Sequence, residues 1–226
     1  MQPDKYFLVW LVLALLLSAC SGQSPSPSSG MEFVKTGQIL VYECGDYDFV
    51  TYSGAGKVAL YMANDQRLLS QVAAASGAKY TDEEVTFWSH GDEAMLDLGY
   101  RKYSQCQLNR RRIPWAAARR RGVDFRATGQ EPGWYLEMTH EQQILFVAAY
   151  GGQRVLLATP EPALKGDRET YQAADGFHQL RVEISLQHCT DTMSGEVFDS
   201  RVWVTLDRKR YEGCGETLEH WWSPSM

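Results

Sequence analysis

The sequence has no H-E-x-x-H, G-x-S-x-G or phosphate-loop pattern and no C-x₂-C pair. The short motifs that mark a zinc protease, an α/β-hydrolase, a nucleotide enzyme or a zinc ribbon are therefore missing. It has no apolar run of about 20 residues, the length a spanning helix needs; the run Phe7 to Leu17 stops at 11 residues. It has no basic excess either. Its 22 Lys and Arg stand against 28 Asp and Glu, a formal charge of −6, which argues against a nucleic-acid partner. The five histidines are scattered, no internal repeat is visible, and no helix of secure length is predicted. With 44% hydrophobic and 22% charged residues in 226, the chain has ordinary globular composition and room for one or two domains.

The charge is unevenly spread. Residues 101–126 hold nine basic side chains and one acid, a local net of +8, while residues 31–100 and 127–226 carry −7 each. Two acidic bodies flank one Arg-rich stretch, which suggests a first module over 31–108, a linker over 109–123 and a second module over 124–226. The linker (QLNRRRIPWAAARRRG from Gln107) reads as a solvated connector; a short basic helix after Pro114, or contact with anionic lipid through the arginines, are its alternatives.

Lys5 and the amino terminus precede the apolar run, and Leu17-Ser18-Ala19-Cys20 follows it. This order resembles the bacterial lipobox, which implies that residues 1–19 are a leader and that Cys20 is lipidated. Ser21 after the cysteine, in place of an aspartate, implies sorting to the outer membrane with the protein facing the periplasm. Residues 20–30, rich in Ser, Pro and Gly, read as a flexible tether of about 17 Å, at roughly 5 to 6 Å × √n. Several acyl chains on one cysteine, at about 0.8 kcal/mol per buried CH₂, make such an anchor durable.

Cys44, Cys106, Cys189 and Cys214 remain, an even number in an oxidising compartment, which favours disulfides. Three connectivities exist. The division of the chain at the Arg-rich stretch selects Cys44 with Cys106 and Cys189 with Cys214, one staple per module. A zinc site at His188, Cys189 and Cys214 is the competing reading.

Short β-branched and aromatic runs follow one another from Ile39: 39–44, 47–52, 57–63, 67–73, 84–88, 94–98 and 101–106, cut by Gly-containing turns. Seven or eight strands in this space predict an all-β first module, a small antiparallel barrel or sandwich. In the second module, runs at 134–139, 144–150, 154–159, 179–186 and 201–206 predict another antiparallel β unit. Leu180, Val182, Ile184 and Leu186 alternate most clearly with polar residues.

Four pieces of the first module stand in order: Tyr42-Glu43-Cys44, then Ser76-Gly77-Ala78-Lys79-Tyr80, then Phe87-Trp88-Ser89-His90-Gly91-Asp92-Glu93-Ala94, then Tyr103-Ser104-Gln105-Cys106. Together they resemble the membrane-bound C-type lysozyme inhibitor family, with its Y-x-C, S-G-x-x-Y, F-W-x-K-G-D-E-A and Y-x-x-C segments. The resemblance implies an eight-stranded antiparallel barrel closed by the Cys44–Cys106 bridge, C-type lysozyme as partner, and Ser76, Gly77, Tyr80 and His90 as lysozyme-binding residues, with no catalytic residue, cofactor or metal. His90 departs from the family's lysine, replacing a fixed charge with a side chain that is mostly neutral at pH 7. Asp82, Glu83, Glu84, Asp92 and Glu93 are expected at the rim of the site, where negative potential would draw in a basic enzyme.

Residues 124–218, with F-R-A-x-G-x-E-P-G-W-x-L-E and a later C-x-D-x-M-S-G-E-x-F, resemble a bacterial envelope module of unassigned activity. Two other readings compete with inhibition. One is a non-inhibitory structural or binding lipoprotein whose partner is peptidoglycan or an envelope protein. The other is a hydrolase built from His188, Asp191 and Ser194.

Overall fold

The computed structural model describes residues 37–63, 65–140 and 142–218. The expected leader, the expected lipidation position Cys20 and the expected tether lie outside the described residues. Among those described, no helix is long and apolar enough to cross a membrane. Both modules are β structures, as the run lengths predicted.

Eight strands form a closed antiparallel barrel in sequence order: β1 Gln38–Glu43, β2 Asp48–Gly54, β3 Lys57–Met62, β4 Asp65–Val72, β5 Ala78–Thr81, β6 Thr86–His90, β7 Glu93–Asp97 and β8 Lys102–Leu108. Closure comes from β1 against β8, with Tyr42 opposite Leu108 and Glu43 opposite Gln107. The interior is filled by Tyr42, Phe49, Leu60, Leu69, Phe87 and Leu96 and their neighbours. Tyr42 stacks on Phe49 at 5.4 Å between centroids, and Phe87 meets both edge-on. Such pairs add about 0.5 to 1.5 kcal/mol beyond area burial. Cys44 and Cys106 are bridged beside this core, their Cα atoms 4.1 Å apart.

Strands β1 to β3 are buried on both faces. Their outward side chains Ile39, Val41, Val50, Tyr52 and Ala59 pack under Ala116. This is why the sequence runs ILVYEC, YDFVTY and KVALYMA lack strict alternation: a continuous apolar run marks a strand covered on both sides.

The cover is helix α1, Ile113–Arg120. The segment 109–123 is thus not the solvated connector expected from its arginines. Pro114 sits in the first helical turn, where its missing N–H costs nothing. The side-chain oxygen of Asn109 receives the N–H groups of Arg111 (2.9 Å) and Arg112 (3.2 Å) and starts the turn. Arg119 and Arg120 lie in the last turn, where cations complement the helix dipole. Alanines let two surfaces approach closely. Ala116 meets the barrel, whereas Trp115 and Ala118 join Val123, Phe198, Leu218 and the Cys189–Cys214 bridge in the second module. The helix is a wedge between two bodies.

The second module is one curled antiparallel sheet with the order β12-β11-β10-β9-β19-β18-β15-β14-β13. Its strands are β9 Phe125–Gln130, β10 Gly133–Thr139, β11 Gln143–Ala148, β12 Gln153–Ala158, β13 Ala163–Lys165, β14 Arg168–Ala174, β15 Gln179–Ser185, β18 Ser200–Leu206 and β19 Lys209–Thr217. A small ribbon, β16 Cys189–Thr190 with β17 Val197–Phe198, lies beside it. The inner face carries one core, with Leu136, Phe146, Val182, Val204 and Tyr211 among its members. Gly213 does not mark a turn. It lies inside β19, where a Cβ would collide with the Thr128 backbone of β9.

Charge is buried where the helix meets the second module. Arg112 lies 3.1 Å from Glu216, which is 5% exposed, and its guanidinium faces the rings of Trp115 and Phe198, each 5.3 Å away. Burial pushes the Glu216 carboxyl up to about 7, against the pull of Arg112. The folded protein therefore holds this proton more tightly than the unfolded chain. Stability from this group is fully present below the unfolded value near 4.5 and is lost as pH rises through about 7. The thermal midpoint should fall between pH 5 and pH 8, by the equivalent of about 3 kcal/mol at most. Glu216→Gln should flatten that slope; an unchanged slope would place its origin elsewhere.

Candidate functional site

In an up-and-down barrel successive turns lie at alternate ends. The β4–β5 turn (73–77) and the β6–β7 turn (Gly91-Asp92) therefore share one end, and the β5–β6 turn (82–85) lies at the other. This brings Ser76, Gly77 and His90 together. Gly77 has φ 67°, in the left-handed region, and a Cβ there would overlap the Ser89 carbonyl and lie 3.2 Å from the His90 Cβ. No residue but glycine fits that contact without moving β6.

The exposed turn is pinned. The indole Nε1–H of Trp88 donates to the Ser76 carbonyl at 2.8 Å, which leaves the serine side chain free to project. Trp88 is 37% exposed because it points outward from β6, while Phe87 before it points into the core. Trp88 is thus not the core aromatic its neighbour is. Tyr80 faces inward, half-buried, stacked on Phe87 at 6.1 Å. It supports the turn from below instead of presenting itself beside Ser76. Tyr42 lies behind the same strand: burial raises its hydroxyl's pKa, and the adjacent Ser89 side chain opposes that shift.

His90 is exposed and pairs in register with Glu93 across the Gly91 turn. Arg110 reaches Asp92 in that turn at 2.7 Å, both side chains well exposed. The expected acidic rim is smaller than the sequence count. Asp82, Glu83 and Glu84 stand at the opposite end of the barrel, and Arg67 contacts both Asp82 (3.5 Å) and Glu84 (2.9 Å). Only Asp92 and Glu93 accompany the turn.

Composition hid one further feature. Register sets Val72 against Lys79, Lys79 against Trp88 and Trp88 against Met95, so these four form an outward row across β4 to β7 beside the turn. Val72 is 38% exposed. Period-two alternation on β6, with Phe87 inward, was the available signal for this row.

The competing sites do not assemble. Cys189 and Cys214 are joined to each other, so neither thiol is available to zinc. Among the described residues no group of three or more His, Cys, Asp or Glu could hold a metal ion. Asp191 Oδ1 accepts the backbone N–H groups of Met193 (2.8 Å) and Ser194 (2.9 Å), and Ser194 Oγ accepts from the Glu196 N–H at 3.2 Å. Burial raises the Asp191 carboxyl, but these bonds and Gln130 outweigh it and leave it below its usual range. His188 is exposed and takes no part in this turn.

The geometry is that of a disulfide-stapled eight-stranded barrel with a hydroxyl-bearing turn, pinned by an indole, at one end. Residues 42–105 match the family model described as membrane-bound lysozyme inhibitor of c-type lysozyme. Over 85 residues the chain is 35% identical to the membrane-bound lysozyme inhibitor of C-type lysozyme of Yersinia enterocolitica, covering 37% of this chain and 64% of that relative. Over 91 residues it is 34% identical to the protein of the same name from Escherichia coli, covering 39% of this chain and 79% of that relative. No solved structure matches. Through its barrel the chain belongs to the membrane-bound family of C-type lysozyme inhibitors. The family match ends at residue 105 and does not reach the second module.

Proposed function

We propose that the protein is an outer-membrane lipoprotein, anchored through Cys20 on the periplasmic side, whose barrel inhibits C-type lysozyme by inserting the Ser76 turn into the active-site cleft. The observation that carries this reading is the locked geometry at Ser76 and Gly77. A glycosidase of this type keeps one carboxyl protonated and the other ionised. A serine hydroxyl accepts from the first and donates to the second, while a neighbouring cation pairs with the ionised one. The turn is held before binding, so little ordering entropy is lost on insertion.

Charge-assisted hydrogen bonds contribute about 1.5 to 3 kcal/mol each, whereas nanomolar affinity needs about −12 kcal/mol. Contact over about 1,600 Å² must supply the rest. The outward row of Val72, Trp88 and Met95 offers apolar surface beside the turn, and Lys79 adds a cation within it. This reading makes the protein a binder and not an enzyme, with no cofactor.

The test is titration of C-type lysozyme activity with the chain from Ser21 onward. Inhibition at micromolar protein or below is expected. Recovery of cell-wall material without any effect on lysozyme would instead favour a structural or binding lipoprotein. His90→Lys restores a permanent charge and should tighten inhibition, most at pH 7.5; equal potency of the two proteins at that pH would remove His90 from the interface.

A further inference from the structure

The second module has a cavity that the barrel's proposed role does not use. It is the mouth of the curled sheet, about 210 Å³, formed where β9, β10, β14, β15, β18 and β19 end or begin on one side. That volume is below the range of about 300 to 1,000 Å³ typical of drug-sized ligands, so it suits a single side-chain-sized group. Phe125, Met138 and Ile184 give it apolar walls. Asp124, just before β9, and Glu169, on β14, line it from opposite sides of the curl, and His140 is the basic side chain in its lining, which has neither Lys nor Arg.

Each carboxylate has one engaged oxygen. Asp124 Oδ2 receives the backbone N–H of His140, and Glu169 Oε2 receives the Tyr171 hydroxyl at 2.8 Å. Among the described residues, Asp124 Oδ1 and Glu169 Oε1 accept no hydrogen bond. An independent observation comes from Ser200, which also lines the cavity. It is only 2% exposed, yet its hydroxyl has no hydrogen-bond partner among the described residues. Its oxygen is not sealed within the protein but opens to the cavity, where water or a ligand group completes its bonding.

We propose that this mouth binds a primary alkylammonium group, a charged amine on an aliphatic shaft. Asp124 Oδ1, Glu169 Oε1 and the Ser200 hydroxyl accept its three N–H donors, and Phe125, Met138 and Ile184 pack the shaft. An anion would meet two carboxylates. A neutral alcohol would leave both of them without a counter-charge.

The experiment uses the intact protein with methyl signals of Met138 and Ile184 as reporters. The probes are n-pentylammonium, 1,5-diaminopentane and Nα-acetyl-lysine N-methylamide, with 1-pentanol and hexanoate as controls. At least one amine should shift both methyls, with affinity falling as salt rises, and the controls should bind at least about tenfold more weakly. Glu169→Gln and Ser200→Ala, each checked for unchanged circular dichroism, should weaken the amine by about tenfold and about threefold. Binding of the lysine amide alone would assign the site to a polypeptide side chain, and binding of the diamine alone to a free polyamine. No methyl shift at about 20 mM amine, or pentanol binding as well as pentylammonium, overturns the proposal.

Discussion

Gly77→Ala is expected to weaken lysozyme inhibition on the order of 100-fold, the scale of a central interface hot spot, while the protein stays folded. Two effects add. The backbone at Gly77 has φ 67°, which costs an L-residue about 1 to 2 kcal/mol. The new methyl would also occupy the space of the Ser89 carbonyl, so the turn must lift off β6. Lifting stretches the bond from Trp88 Nε1 to the Ser76 carbonyl, now 2.8 Å, and moves the serine hydroxyl from its place. The core of the barrel lies below the turn, so the fold is kept, while the added strain lowers the thermal midpoint by roughly 4 to 8 °C per kcal/mol. Ser76→Ala, which keeps the turn and removes the hydroxyl, should cost less. Full potency in the Gly77 variant would show that this turn is not what enters the cleft.

Glu137→Ala is expected to destabilise the protein by about 3 to 5 kcal/mol, the usual cost of stripping one partner from a buried ion pair. Glu137 is 7% exposed and receives hydrogen bonds from Arg126 Nη1 and, at 2.7 Å, from Arg121 Nη2. Arg121 is half-exposed and can turn to water. Arg126 cannot: it is 9% exposed and held between the rings of Trp115 (5.6 Å) and Tyr135 (4.8 Å). Burial already lowers the pKa of its guanidinium, with Glu137 pulling the other way. Removing the carboxylate leaves a cation stranded under aromatic rings. Replacing both partners by apolar residues, Arg126→Met with Glu137→Leu, should recover most of the loss. Urea unfolding would measure both variants, and a loss under about 1 kcal/mol for Glu137→Ala would mean that water reaches Arg126.

Most of the barrel was legible because its strands are short, apolar and cut by glycine turns. The runs at 39–44, 47–52 and 57–63 coincide with β1 to β3 within a residue or two. Strand β5 was hidden inside the S-G-A-K-Y segment, where a turn signal outweighs four residues of strand. Strands β9 and β19 escaped for the opposite reason. Their glycines weaken the strand signal, whereas Gly129 and Gly213 are there because neighbouring backbone or indole comes too close for a Cβ.

Both disulfides followed from the division of the chain. The Arg-rich segment did not, since charge in sequence says nothing about whether Glu137 and Glu216 wait on a facing surface. The acidic rim failed because proximity in sequence is not proximity in a barrel. Asp82 to Glu84 are six to eight residues from Ser76 and yet at the far end. Motif order pointed to Ser76, Gly77 and His90, which the barrel places at one end, but only register separated inward Tyr80 from outward Trp88.

The wedge helix also bears on how the molecule can be cut. Severing the chain after Leu108 would leave the back of the barrel bare, with Ile39, Val41, Val50, Tyr52 and Ala59 turned to solvent as one oily patch. Such a fragment would seek replacement company, from its own copies or from detergent. The portion resembling the shorter relatives is therefore not the natural unit of expression here; the smallest well-behaved piece extends at least through Arg120.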